Sequence, residues 1–256
     1  IALALLMTAG LFSGCSNTPK EEGSKGSSKD KDTLVIAQNA DIYSMDPQLK
    51  KDTQSGRIKT LVFETLVRTD SENNILPGIA DSLEFVDDTT IHFSIHLGIT
   101  FHNGEPLTMD DILYSFQRGE TAPQTSATMD PIDIPNCKAI DENTFEMKLK
   151  YPFGAIMLNL SDSCCSIVDK SYVEEVGEDE FAQKPIGTGP YVFDNWVTGD
   201  RCELKAYDGY WGDKPSIPNI TFRVITEGAN RAIELETGGV DVALDILPGD
   251  VERISE

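Results

Sequence analysis

From Ile91 to Leu97 the sequence alternates without a break. Ile91, Phe93, Ile95 and Leu97 fall on one face of an extended chain, and His92, Ser94 and His96 fall on the other. A helix would scatter these residues around its circumference, so the segment must be a strand with one face in a core and one toward water. Thr144-Phe-Glu-Met-Lys-Leu149 alternates in the same way, and Thr33–Ala37, Tyr191–Phe193, Cys202–Ala206, Ile220–Ile225 and Val240–Leu244 read as further strands. Between them the period changes. Ser55 through Arg68 places Ile58, Leu61, Val62, Thr65 and Leu66 at helical spacing. Thr108-Met-Asp-Asp111 opens a second helix with a capping-box pattern, followed by a stripe of Ile112, Leu113 and Phe116. Ala229–Thr237 is a third, closed by Gly238-Gly239, and Pro248–Glu256 is a fourth. Strands and helices mix without a repeat, so the class is α/β.

Pro185-Ile-Gly187-Thr188-Gly189-Pro190 reads as a sharp turn, with glycine free to take positive φ and proline fixing its own. His92 and His96 share a strand face and invite a metal reading. No third ligand is evident, and the alternation alone puts them on the wet side. Tyr210-Trp211 and Phe193-Asp-Asn-Trp196 suit packing better than a stacking platform, because large aromatics dominate core energetics.

With 256 residues the chain has length for roughly two domains. Its net charge of −22 argues against nucleic acid and against an anionic membrane surface. An acidic surface can draw in cationic solutes, though solubility alone accounts for it. Residues 1–12 are apolar and uncharged, too few to span a bilayer, and fit the core of an incomplete secretory signal over 1–14. Ser13-Gly14-Cys15 resembles the lipobox of bacterial lipoproteins, which makes Cys15 the expected lipid attachment site. Residues 16–32 hold no aliphatic or aromatic side chain beyond proline, so 15–32 is expected to be a lipid anchor and flexible tether. Two acyl chains on Cys15 would make a stable anchor where one would not.

Cys137, Cys164, Cys165 and Cys202 match no zinc spacing. A Cys137–Cys202 disulfide stays open from sequence, with buried free thiols the default. The sequence has no Gly-x-Ser-x-Gly, no His-Glu-x-x-His and no P-loop, which speaks against a secreted hydrolase.

Several segments, in order, resemble the extracellular solute-binding proteins of ABC importers, family 5, the oligopeptide-, dipeptide- and nickel-binding type. They are Ser44-Met-Asp46-Pro47, Phe63-Glu-Thr-Leu-Val67, Leu76-Pro-Gly-Ile-Ala80-Asp-Ser82, Thr90–Leu97 with Phe101-His-Asn-Gly104, Asp111-Ile-Leu-Tyr-Ser-Phe-Gln-Arg118, Pro185–Tyr191 and Tyr210-Trp211-Gly212. Each is short, and their collinearity over about 33–250 carries the likeness. Gly98 stands where the family often has a basic residue.

The resemblance implies a periplasmic-binding-protein-like fold of type II, cluster C. This chain would be a first lobe of two subdomains with the second lobe missing, an N-terminal fragment of a longer product. Residues 33–62 and 183–256 would form the main subdomain and 63–182 the accessory one. It further implies a binding protein and not an enzyme, with no cofactor. Its ligand would be a peptide, or alternatively a nickel complex or an oligosaccharide. Its partners would be an ABC permease and, through the anchor, the extracytoplasmic face of a membrane, with the protein a monomer. By position in the motifs, ligand contacts would come from Lys51, Asp52 and Thr53 after the Asp-Pro turn, and from Ala127, Thr128 and Met129 after the second helix. Loops on a rigid scaffold commonly carry such contacts.

Overall fold

The computed structural model describes residues 31–49 and 52–255. The apolar leader, Cys15, most of the tether and Lys51 lie outside the described residues. Residues Asp32–Glu256 make one compact unit.

In chain order the elements are β1 (Thr33–Gln38), α1 (Thr53–Val62), β2 (Val67–Thr69), β3 (Ile75–Pro77), β4 (Ala80–Asp87), β5 (Thr90–Ile95), α2 (Met109–Thr121), α3 (Ser126–Met129), β6 (Lys138–Ala139) and β7 (Thr144–Lys148). There follow α4 (Ile156–Leu160), α5 (Lys170–Val176), α6 (Glu178–Phe181), β8 (Tyr191–Val197), β9 (Arg201–Ala206), β10 (Asn219–Val224), α7 (Gly228–Glu236), β11 (Val242–Ala243) and α8 (Pro248–Ser255).

The alternating strand β5 lies inside an antiparallel sheet of order β4-β5-β7-β6. Ile91, Phe93 and Ile95 are buried against Phe145 and Met147 of β7, in a cluster that also takes Ile112 and Phe116 from α2. Each such side chain contributes about 1.5–3 kcal/mol on leaving water. Leu97 departs from the alternation and is 57% exposed. The strand stops at Ile95, and Gly98 at φ +84 turns the chain away from the core. On the outer face His92 Nε2 meets Glu146 at 2.9 Å, with Lys138 and Lys148 within 3.8 Å of the same carboxylate. His96 packs on Trp211 with ring centres 4.7 Å apart and planes tilted by 44°. The capping box of α2 forms as the sequence predicts, with Thr108 N–H donating to Asp111 Oδ2 at 2.8 Å.

The second sheet is mixed, of order β11-β1-β10-β9-β8, with β1 parallel to both of its neighbours. Ile58, Val62 and Phe63 of α1 and its end pack with Tyr191, Leu204 and Phe222 of this sheet, joined by Val168, Val173 and Phe181. Each large sheet thus carries its own apolar cluster.

Helix α1 ends at Val62, short of the Arg68 that its apolar spacing suggested. The last carbonyls are claimed from outside: Gly189 N–H donates to Val62 O at 2.9 Å. The Leu66 and Thr65 carbonyls accept instead from Gly78, Ile79 and Ala80, which holds the chain extended. The Gly187-Thr188-Gly189 turn owes its glycines to this contact and not to positive φ, since neither glycine has one. A Cβ on Gly187 would stand 2.0 Å from Val62 O, and one on Gly189 2.5 Å from Leu61 O. Only bare backbone fits there.

His102 clamps the same turn. Its Nδ1 accepts from Gly187 N–H at 3.3 Å and its Nε2 donates to Gly189 O at 2.9 Å, an arrangement that requires the neutral ring. Burial pushes the His102 pKa below the ordinary histidine value, against the opposing pull of the Gly189 bond. Glu64 accepts from Thr188 Oγ1 at 2.9 Å, Tyr210 Oη at 2.9 Å and Trp211 Nε1 at 2.8 Å. Burial raises its pKa above the usual carboxylate value, although those three bonds pull the other way. The aromatic pair Tyr210-Trp211 therefore packs and tethers. Trp196 likewise donates its Nε1 to Asp41 at 3.0 Å.

All four described cysteines are buried, and the Cys137–Cys202 bridge is not formed. The two belong to different clusters. Burial pushes the Cys137 thiol up to about 11 and the Cys202 thiol up to about 12.

Candidate functional site

Strand β1 delivers the chain to the carboxyl end of the mixed sheet, the place where open α/β sheets carry their ligands. The connection to α1 begins as an ordered turn whose polar side chains point inward. Ser44, Asp46 and Gln48 are all buried. Asp46 N–H donates to Ser44 Oγ at 3.0 Å, and Gln48 N–H donates to Asp46 Oδ1 at 2.8 Å. The aspartate thus folds the turn with one oxygen while Pro47 fixes φ behind it.

Arg118, in the last turn of α2, reaches back to this turn. One terminal nitrogen donates to Asp46 Oδ1 at 2.8 Å and to Gln48 Oε1 at 2.6 Å, and the other pairs closely with Asp46 Oδ2. The guanidinium lies 5.5 Å from the centre of the Phe181 ring. Gln48 completes the link by donating its Nε2 to Ser115 O at 2.8 Å. The Thr125 hydroxyl, just before α3, lies 3.1 Å from Gly119 O and 3.4 Å from Gln48 O.

One buried network therefore anchors both predicted contact segments. Gln48 roots the segment leading to Asp52 and Thr53, and Thr125 roots the segment Ala127–Met129. Asp52 caps α1 by accepting Ser55 N–H on Oδ1 at 2.8 Å, while its buried Oδ2 has no hydrogen-bond partner among the described residues. Thr53 is exposed at the first turn, where the amide end of the helix dipole faces outward. Ala127 is exposed and Thr128 half-buried, with Thr128 O accepting from Asn159 at 3.0 Å. The Met129 side chain is fully buried against Gly119 and Cys165, so it packs the accessory cluster. Behind Asp52, Lys59 is buried in α1. Desolvation lowers its pKa, opposed by Asp52 and then Asp46.

The sequence named Asp46 and Arg118 within separate motifs and missed their pairing. Seventy-two positions separate them, and only an Asp-Pro turn facing a helix that ends near an arginine hinted at it. Among the described residues no group of three or more His, Cys, Asp or Glu side chains is placed to hold a metal ion.

Known proteins share this fold. The family model for "Bacterial extracellular solute-binding proteins, family 5 Middle" matches residues 74–256. The "Probable D,D-dipeptide-binding periplasmic protein DdpA" of Escherichia coli K12 is 29% identical over 230 residues, which cover 86% of this chain and 44% of that protein. The periplasmic binding protein DppA of Helicobacter pylori, solved in complex with the peptide STSA, is 27% identical at a TM-score of 0.79, covering 86% of this chain and 48% of that one. NikZ of Campylobacter jejuni, solved with Ni(L-His), is 26% identical at a TM-score of 0.78, covering 88% and 45%. The fold is that of the type II periplasmic binding proteins, and the chain spans about half the length of the relatives it matches.

Proposed function

We infer function from family: the chain belongs to the bacterial extracellular solute-binding proteins, family 5, and we propose that the intact protein captures short peptides outside the cytoplasm and delivers them to an ABC importer. The family is one of solute binders, not enzymes. The observation that carries the peptide reading is the buried Asp46–Arg118–Gln48 link, which anchors two segments that each carry an exposed residue, Thr53 and Ala127. Thr53 and Ala127, the exposed members, then offer main chain and small side chains to an extended ligand. Such groups recognise a backbone and leave side chains unselected. A relative named for D,D-dipeptides and a neighbour solved with the peptide STSA support this reading.

A nickel chelate is the second reading, favoured by the NikZ likeness. In either case residues 33–62 and 183–256 act as the main subdomain and 63–182 as the accessory one. A second lobe closes over the ligand, and Cys15 bears the lipid that holds the monomeric protein at the membrane.

The test is thermal stabilisation of the intact protein by di- to pentapeptides, nickel–histidine complexes and oligosaccharides. A ligand that binds only the folded state raises stability by RT ln(1 + [L]/Kd). Saturable stabilisation by peptides, weakened in Thr53→Pro, is expected. Stabilisation by nickel–histidine alone would replace the peptide reading, and a response to oligosaccharides alone would end both. Mass spectrometry of the processed N-terminus checks acylation of Cys15.

A further inference from the structure

A pocket of about 710 Å3 opens beside β2, β3 and the Tyr210-Trp211-Gly212 turn, and none of the proposed peptide contacts lines it. Its size falls within the range of roughly 300–1,000 Å3 usual for small-molecule sites. Phe63 and Trp211 give it apolar wall, and the tethered carboxylate of Glu64 borders it.

Three charged side chains line this concavity, and Arg68 stands near enough to Glu64 to favour its ionised form. Arg68 donates its Nε to Pro77 O at 2.9 Å, which fixes the fork. Its two terminal nitrogens make no hydrogen bond or close ion pair among the described residues, and neither do the Asp81 and Asp213 carboxylates. A simple anion would find Arg68 but also meet Glu64, Asp81 and Asp213. A simple cation would leave the guanidinium unmatched. A molecule carrying both charges answers both.

We propose that this pocket is a second binding site, for a small zwitterion of the amino-acid type. The ligand carboxylate takes the fork of Arg68, and the ligand ammonium faces Asp213 and Asp81. The planar guanidinium, held at Nε, presents its two terminal nitrogens in the geometry a carboxylate accepts.

The test is calorimetric titration of the intact protein with single L-amino acids, using propionate and ethylamine as probes lacking one charge each. Expected is saturable binding of one or more amino acids, with neither single-charge probe binding. Arg68→Gln and Asp213→Asn should each raise Kd about 10–100-fold, the loss expected for one charged hydrogen-bonding partner. Both side chains are exposed, so both variants should keep the parent circular dichroism spectrum. Absence of amino-acid binding at millimolar concentration overturns the proposal. So does binding that is unchanged in both variants, or that is lost in Thr53→Pro instead. Peptide binding read on the same samples keeps the two sites separate: its failure alone counts against the peptide reading and leaves this pocket standing.

Discussion

Replacing Arg118 by methionine keeps most of the side-chain volume and removes the fork. Asp46 is then left with a buried, unpaired carboxylate, its side chain only 1% exposed, and Gln48 Oε1 loses its donor at 2.6 Å. Arg118 itself is 10% exposed, so solvent does little to screen the pair. Breaking a buried pair from one side costs about 3–5 kcal/mol, most of it the stranded charge. For a unit of this size each kcal/mol moves Tm by roughly 2–4 °C, so Arg118→Met should melt about 6–20 °C lower. Asp46→Asn should also destabilise, by leaving the guanidinium only Gln48 Oε1 at 2.6 Å and the exposed Glu178 carboxylate at 3.8 Å. The double variant leaves neither charge alone and should be no worse than Arg118→Met. That non-additivity should register as a coupling of about 0.5–3 kcal/mol in urea unfolding. A drop smaller than about 2 °C for Arg118→Met, or two single effects that simply add, would refute the view that this pair locks the turn.

Gly189→Ala should cost about 1–3 kcal/mol or more, since its Cβ would press to 2.5 Å from Leu61 O; urea midpoints would show it. Gly98→Ala meets open space but must hold φ +84, so a loss of about 1–2 kcal/mol is expected from backbone strain alone, read in the same way. The lowered pKa of His102 means that the unfolded chain takes up a proton first on acidification. Its contribution is complete above about pH 6.5 and declines as pH falls from there toward the folded pKa, so the stability gap between parent and His102→Asn should narrow over that window. Cys137 and Cys202, held up to about 11 and about 12, should resist iodoacetamide near pH 8 in the native protein and react after denaturation, read by peptide mass.

Local pattern foretold the elements that local physics decides. The period-2 run gave β5, and the hydroxyl–carboxylate spacing gave the cap of α2. It failed where a distant segment intervenes. Leu66 keeps helical spacing with Val62, yet its carbonyl is taken by the amides of Gly78 and Ala80, so the helix stops early. The glycines flanking Thr188 were legible as a turn but not as a close approach, because Val62 lies far away in sequence. The site was legible to the same extent. Both contact segments read as loops from sequence, whereas Asp52 caps α1, Thr53 opens it, and Ala127–Met129 lie in the short helix α3. That Met129 turns inward depends on the missing side chain of Gly119. The cluster around Glu64 brings Thr188, Tyr210 and Trp211 from more than a hundred positions away, and no periodicity encodes that.

The parallel pairing of Thr33 with Asn219 sets a timetable for maturation. β1 emerges from the ribosome or the export pore before β10, and the whole β4–β7 sheet, whose strands meet neighbours nearer in sequence than β1 and β10 do, is synthesised in between. Nonlocal closure is slow, so the antiparallel sheet should consolidate while β1 still waits with its apolar residues uncovered. Whatever guards the nascent polypeptide against aggregation must therefore attend to the stretch around Leu34 and Ile36, and for the longest time.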